Sequence, residues 1–244
     1  MTDIQNKRIC RLKFGSKENM EKFYKYGEMR FGTFADFKAG ELKADGRADW
    51  LEYADEFYSG TGLDDIELII DGYKFSREGG TLSLESNFPE MKQYTHLYCM
   101  SYFDTKQMLE TNLAISEKNF AEDKDYVVIV YNVQEFCKRV TETLKTNNAI
   151  CRHSEYIEYC DITNYSGEFG CFKKSNTYSY QNEWRIVANF GQGKEKKEQF
   201  IHIGSIEDIA KPPQTKEEFY SGKYQIGNKI ISNESILKNI GVPV

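Results

Sequence analysis

Long apolar runs are missing from this chain. A stretch such as Val127-Val128-Ile129-Val130 is far short of the roughly 20 residues a membrane-crossing helix needs, so no membrane span is expected. The opening Met-Thr-Asp-Ile-Gln-Asn-Lys-Arg has no apolar h-region of the secretory kind, and the expectation is a cytoplasmic protein. Proline is scarce, at 4 of 244 residues, and no repeat, low-complexity tract or Pro/Ser-rich linker divides the sequence. One domain, 1–244, follows as the expectation. The three histidines stand without ligand spacing and the six cysteines form no C-x-x-C pair, which predicts reduced thiols and no metal site. Absent too are the Gly-x-x-x-x-Gly-Lys-Ser/Thr, Gly-x-Gly-x-x-Gly, His-Glu-x-x-His and Gly-x-Ser-x-Gly motifs, and with them the main support for nucleotide-loop, zincin and serine-hydrolase readings. Positive charge is outweighed as well. With 32 Lys+Arg against 38 Asp+Glu and a net charge of -6, no global field draws in nucleic acid or an anionic membrane, though a local basic cleft stays open.

What the chain does have is enough apolar and aromatic material for a core: 40% hydrophobic residues, including 17 Tyr and 16 Phe. Residues 8–14 alternate as a strand, and Ser16 and Gly27 bracket a helix as N-cap and stop. A second strand runs over Met29–Phe34. The acidic, glycine-punctuated stretch 36–80 reads as a loop-rich excursion with short strands near 66–70 and 73–75. Strands are expected over His96–Phe103, Asp125–Tyr131, Ala149–Tyr159, Gln181–Phe190 and Gln199–Ile203, and irregular or strand structure around Lys229–Ser232. Val133, Phe136, Cys137, Val140 and Leu144 mark an amphipathic helix over 133–144, and shorter helices are expected at 205–210 and 234–240. Strands in runs with few crossover helices predict an α+β domain built on a mainly antiparallel sheet with flanking helices.

The densest polar cluster is Tyr178-Ser179-Tyr180-Gln181-Asn182-Glu183-Trp184-Arg185. On a strand, period-2 alternation puts Gln181, Glu183 and Arg185 on one face. A guanidinium two residues from a carboxylate favours the ionised form; the bland alternative is a surface ion pair on an edge strand. Ser101, a hydroxyl inside an aromatic strand, needs a partner if buried, and a carboxylate on a neighbouring strand supplies one. Arg11 stands mid-strand between Cys10 and Leu12, where a cleft wall is a more natural place than open solvent.

An arginine on the first strand, a serine on an aromatic middle strand and a late Gln-x-Glu resemble the ADP-ribosyltransferase superfamily in kind and in order. The strand-helix-strand opening, Ile9–Phe34, resembles the start of such domains. Met29–Phe34, Arg47-Ala48-Asp49 with Glu52, Cys99-Met100-Ser101 and Gln181–Arg185 are similar to a broad family of bacterial and phage proteins. Two departures stand out: the serine reads Met-Ser-Tyr rather than Ser-Thr-Ser, and Arg8 and Arg30 rival Arg11. The resemblance implies a split, mainly antiparallel sheet and an NAD-consuming transferase, with NAD as substrate. It implies Glu183 as the carboxylate facing the ribose, held by Ser101, with Gln181 orienting the acceptor. The dinucleotide falls to Arg11, Arg30, Arg185, Tyr102 and Tyr178. Gln-x-Glu in place of Glu-x-Glu implies an acceptor other than arginine, on a protein or a nucleic acid, and the setting implied is a toxin, a defence effector or a phage modifier, with a possible antitoxin partner.

Two other classes compete. Asp36, Asp45, Asp49 and Glu52 with Arg47 would make a Mg²⁺ and phosphate site for a nuclease or phosphodiesterase. A non-catalytic binding protein of a phage or defence system would use the aromatic residues as a contact surface.

Overall fold

Thr95–Asp104 (β7) carries Leu97, Tyr98, Cys99, Met100, Tyr102 and Phe103 in one run, a composition that suits a strand covered on both faces. It is the axis of the molecule. The computed structural model describes residues 8–33, 56–60, 66–70, 73–77, 80–84, 95–104, 115–120, 123–191, 197–226 and 229–232. Along one edge of β7 runs Glu183–Asn189 (β13), and beyond it Ile150–Tyr156 (β9). The other edge is shared. Arg8–Gly15 (β1) takes its C-terminal half, with Leu12 opposite Ser101, while Glu28–Thr33 (β2) takes its N-terminal part, with Gly32 opposite Leu97. From there β1 continues into Tyr126–Val130 (β8) and Ala210–Thr215 (β15), and β2 into Gln199–His202 (β14). Every pairing in this sheet is antiparallel, and the sheet divides where β1 and β2 part. The α+β class with a mainly antiparallel sheet is therefore the observed one.

Helices cover this sheet. Lys17–Tyr26 (α1) begins where the Ser16 side chain accepts from the Asn19 backbone and ends at Gly27 with φ 60°, as its sequence signals require. Val133–Thr146 (α2) buries Phe136, Val140 and Leu144, each contributing roughly 1.5–3 kcal/mol through burial. With Met20 and Phe23 of α1 they pack on Met29, Phe31, Tyr98, Met100, Val128, Val130, Trp184 and Ile186. On the opposite face Cys10, Leu12, Val127 and Ile129 pack with Ile115, Phe219 and Tyr220. Phe219 and Tyr220 belong to Lys216–Ser221 (α3), a helix missing from the sequence reading but closed by a full capping box between Thr215 and Glu218.

Other boundaries move. The stretch 36–80 holds more strand than expected: Glu56–Gly60 (β3), Ile66–Ile70 (β4) and Tyr73–Arg77 (β5), followed by Gly80–Leu84 (β6). β4 and β5 form a hairpin, and β3 pairs with β6 and with Ser166–Glu168 (β11). The strand expected over Ala149–Tyr159 breaks at Ile157 into β9 and Glu158–Cys160 (β10), where the chain leaves β13 and pairs in parallel with Lys173–Ser175. Instead of a helix at 205–210 there is irregular chain, entered through Gly204 at φ 81°, and a turn over 207–209. Of the two forms left open at 229–232, the strand is the observed one: Lys229–Ser232 (β17) pairs with Lys223–Ile226 (β16). Asp36, Asp45, Arg47, Asp49, Glu52 and the helix expected at 234–240 lie outside the described residues. Among the described residues no helix is long and apolar enough to cross a membrane.

Candidate functional site

Glu183 opens β13, directly opposite Ser101 of β7. Before it, Asn176–Gln181 forms a 3-10 turn closed by Asn182 in the left-handed region at φ 44°, a conformation asparagine tolerates better than most residues. Gln181 is thus on the turn and not on the strand, a correction to the period-2 reading. The kink at Asn182 nevertheless leaves Gln181 and Glu183 on the same cation. Lys174, on Lys173–Ser175 (β12), donates from Nζ to Gln181 Oε1 at 2.9 Å and sits 2.8 Å from Glu183 Oε2. Arg185 Nε donates to Glu183 Oε1 at 2.6 Å, and its Nη1 donates to the Cys171 carbonyl at 2.6 Å.

These charges are out of solvent. Arg185 is 0% exposed, Lys174 4% and Glu183 6%, so the ion pair is a buried one and not the surface pair that such spacing usually makes. Burial on its own would raise the Glu183 pKa. The attraction of Arg185 and Lys174, with the hydrogen bonds they donate, outweighs burial and holds the carboxyl well below its ordinary 4.5. The parallel ribbon of β10 and β12 delivers two of the partners together, since Tyr159 lies opposite Lys174 and the Tyr159 hydroxyl accepts from the Glu183 backbone N–H at 2.9 Å. Burial and the Glu183 charge both push the Tyr159 phenol above its ordinary value.

Ser101 and Arg11 behave differently from expectation. Ser101 is buried across from Glu183, but no hydrogen bond joins its hydroxyl to the carboxylate; both carboxylate oxygens are held by cations instead. Arg11 lies opposite Tyr102, the neighbour of Ser101, and neighbours on a strand point to opposite faces. The guanidinium therefore sits on the face covered by α1 and α2, away from Glu183. There it stacks on Trp184 (4.7 Å to the ring centre) and Tyr156 (5.0 Å), and its Nη2 donates to the Tyr156 hydroxyl at 2.6 Å. At 4% exposure, with Nε lacking any partner, it packs as part of the core. Tyr102 is buried on that same face, edge-on to Tyr156. Arg30 is exposed on β2 and pairs with Glu198. Tyr178 stays with the site, its ring 5.6 Å from Lys174 Nζ.

The sequence reading missed Lys174, Tyr159 and Lys13. Lys174 had a usable signal: a carboxylate entering an apolar strand needs more counter-charge than one arginine provides. Lys13 had none, because its place depends on the division of the sheet. Where β1 leaves β7, the Cys99 carbonyl loses a strand partner, and Lys13 Nζ donates to it at 2.7 Å while lying 4.2 Å from the centre of the Tyr98 ring. Burial pulls this amine down from 10.5 to about 8, although Cys99 and Glu183 pull the other way.

A cavity of about 570 Å³ adjoins the cluster, lined by residues of 155–173 that include Tyr156, Cys171 and Phe172. Glu183 does not line it; the link is the Cys171 carbonyl that Arg185 holds. Among the described residues no three His, Cys, Asp or Glu side chains are grouped to hold a metal ion. No family model, curated protein or solved structure matches the chain, so the site is read from its own geometry.

Proposed function

We propose that the chain transfers ADP-ribose from NAD to a macromolecular acceptor, with Glu183 as the residue that faces the ribose. The observation that carries this reading is the Gln181–Lys174–Glu183 link at the head of β13, opposite Ser101. One ammonium fixes the spacing of a Gln-x-Glu pair beside the divided sheet. In the reaction the bond between nicotinamide and ribose C1′ breaks, and its electron pair leaves on nicotinamide. The acceptor's nucleophile then bonds to C1′ and gives up its proton. Positive charge builds on the ribose ring, as in glycoside hydrolysis, and an ionised Glu183 opposes it, worth about 3–4 kcal/mol in comparable sites. Glu183 accepts from the ribose 2′-hydroxyl by releasing one of its internal partners. Lys174 and Arg185, the cations beside it, meet the dinucleotide's phosphates, and Arg11 has no part. Gln181 orients an acceptor other than arginine, in a toxin, a defence effector or a phage modifier.

The test is nicotinamide release and label transfer from ³²P-NAD by the purified chain. Glu183→Gln is expected to lower turnover at least 100-fold and Gln181→Ala to lower transfer more than release, with the circular dichroism of both unchanged. Undiminished turnover in Glu183→Gln removes that residue from the reaction. A second reading, a binding protein without catalysis, is favoured by one observation: both Glu183 oxygens are satisfied internally. Its signature is no turnover by the parent chain with any acceptor.

A further inference from the structure

The main sheet has three ends, and two of them are poor places for further pairing. β14 is four residues long. β15 carries Pro212 and Pro213 and a register shift between Lys211 and Gln214, both of which blunt an edge. β9 is the third end. It runs seven residues without proline or glycine, and among the described residues it pairs with β13 alone. His153, Ser154 and Glu155 are exposed along it.

Hydrogen-bond parity shows what that edge offers. Residues opposite each other in an antiparallel pair exchange backbone bonds only at every second position. The Ile157 N–H donates to the Glu183 carbonyl, so in the same register Glu155 bonds with Arg185, whereas Ser154, opposite Ile186, does not bond with β13. β13 gives the same answer from its other side: the Asn182 carbonyl accepts from Tyr102 of β7, which commits its even positions to β7 and its odd positions to β9. The Ser154 N–H and C=O therefore face outward.

An antiparallel strand added here must set Ser154 against a residue whose own backbone faces outward. If the added strand is β9 of a second copy, the choice narrows to one register. Ser154 against position 156 would bring Glu155 opposite Glu155, like charges in direct apposition. Ser154 against position 152 would use a residue that the shift between Val187 and Ala188 leaves without a counterpart on β13, where a bulge bends the edge. Ser154 against Ser154 places His153 opposite Glu155 of the copy, and Glu155 opposite its His153. Those pairs are of the non-bonded kind, whose Cα atoms approach to about 4.5 Å. Within one chain His153 Nε2 already bonds Glu155 at 2.7 Å, so the four side chains alternate, with imidazole beside carboxylate on every side of a square. Phe172 holds the His153 ring for this, meeting it edge-on at 5.1 Å. A patch that complements itself is what a two-fold contact requires. We infer that β9 pairs with β9 of a second copy of this chain, antiparallel about a two-fold axis at Ser154, and joins the two sheets into one. The inference stands apart from whether Glu183 turns over NAD.

Sedimentation velocity of the full chain over a dilution series tests the pairing without any activity readout. The parent is expected to show a concentration-dependent dimer. His153→Glu sets carboxylate against carboxylate in both symmetric pairs, and Glu155→His sets imidazole against imidazole. Each variant alone is expected to dimerise about 10-fold more weakly than the parent, or worse. Mixed in equal amounts, the two are expected to recover the parent's dimerisation, because the mixed pair again sets imidazole against carboxylate at both places. Both positions are exposed, so the variants are expected to keep the parent's circular dichroism. Ser154→Pro removes the outward N–H without taking a bond from β13 and is expected to leave a monomer. A parent that is monomeric at every concentration, variants that dimerise as the parent does, or a mixture no better than its components would overturn the inference.

Discussion

Glu183 is a buried carboxylate and Lys13 a half-buried amine, and their pH signatures have opposite origins. The Glu183 carboxyl lies well below its ordinary 4.5 because Arg185 and Lys174 flank it. Its contribution to stability is complete above that ordinary value, where the unfolded chain is also ionised. It is lost as pH falls below 4.5 toward the depressed folded value, at up to about 1.4 kcal/mol per pH unit. Urea midpoints measured between pH 5 and 3 are expected to drop more steeply in the parent than in Glu183→Gln, and parallel slopes would refute the ionised triad. Lys13 is held at about 8, so its charged form is penalised in the folded state. That penalty is full below about pH 8 and is relieved as pH rises from 8 toward 10.5. Over this window the parent is expected to gain stability relative to Lys13→Met; a constant difference would mean that the amine titrates as a surface lysine does.

Elements are set by their ends as much as by their faces. Gly27 closes α1 at φ 60°, and a Cβ there would fall 2.2 Å from the Gly204 carbonyl oxygen and 2.5 Å from Ile203 Cγ1. The first of these is backbone and cannot swing aside. Gly27→Ala therefore combines left-handed strain of about 1–2 kcal/mol with a clash that shifts β2 against β14. Gly170, at φ 65° with nothing within 4 Å of its would-be Cβ, carries the strain alone. The expected order in denaturant unfolding is Gly170→Ala losing about 1 kcal/mol and Gly27→Ala at least twice that. Ser16, Gly27 and the apolar stripe of α2 were legible because caps and period are local. The helix α3 was not read, since its buried pair, Phe219 and Tyr220, is too short for a period to register.

The whole molecule turns on β7, which pairs with β1, β2 and β13 at once. Neither limb of the divided sheet can detach without breaking that shared strand. Unfolding followed by Trp184 fluorescence, in a Trp50→Phe background, is expected to coincide with unfolding followed by far-UV circular dichroism. Separated midpoints would show the limbs to be independent. The same strand explains why the candidate site was only half legible. Glu183 and Ser101 do meet as neighbours on adjacent strands, as their residue types suggested. Arg11 fails to join them through a matter of parity: it is in register with Tyr102, one residue from Ser101, and one residue on a strand is the opposite face.

The chain's own sequence determined the α+β class, the strands rich in Val, Ile and aromatics, the caps of α1, the apolar stripe of α2, and the polar cluster entering β13. Each of these rests on short-range preferences that a residue expresses wherever it sits. Only the tertiary structure decided that β1 and β2 divide one edge of β7, that Lys13 fills the gap, that Lys174 joins Gln181 to Glu183, and that Arg11 is buried between two rings on the far face. Those outcomes depend on register and on which strands become neighbours, and register is fixed by the packing of both sheet faces together.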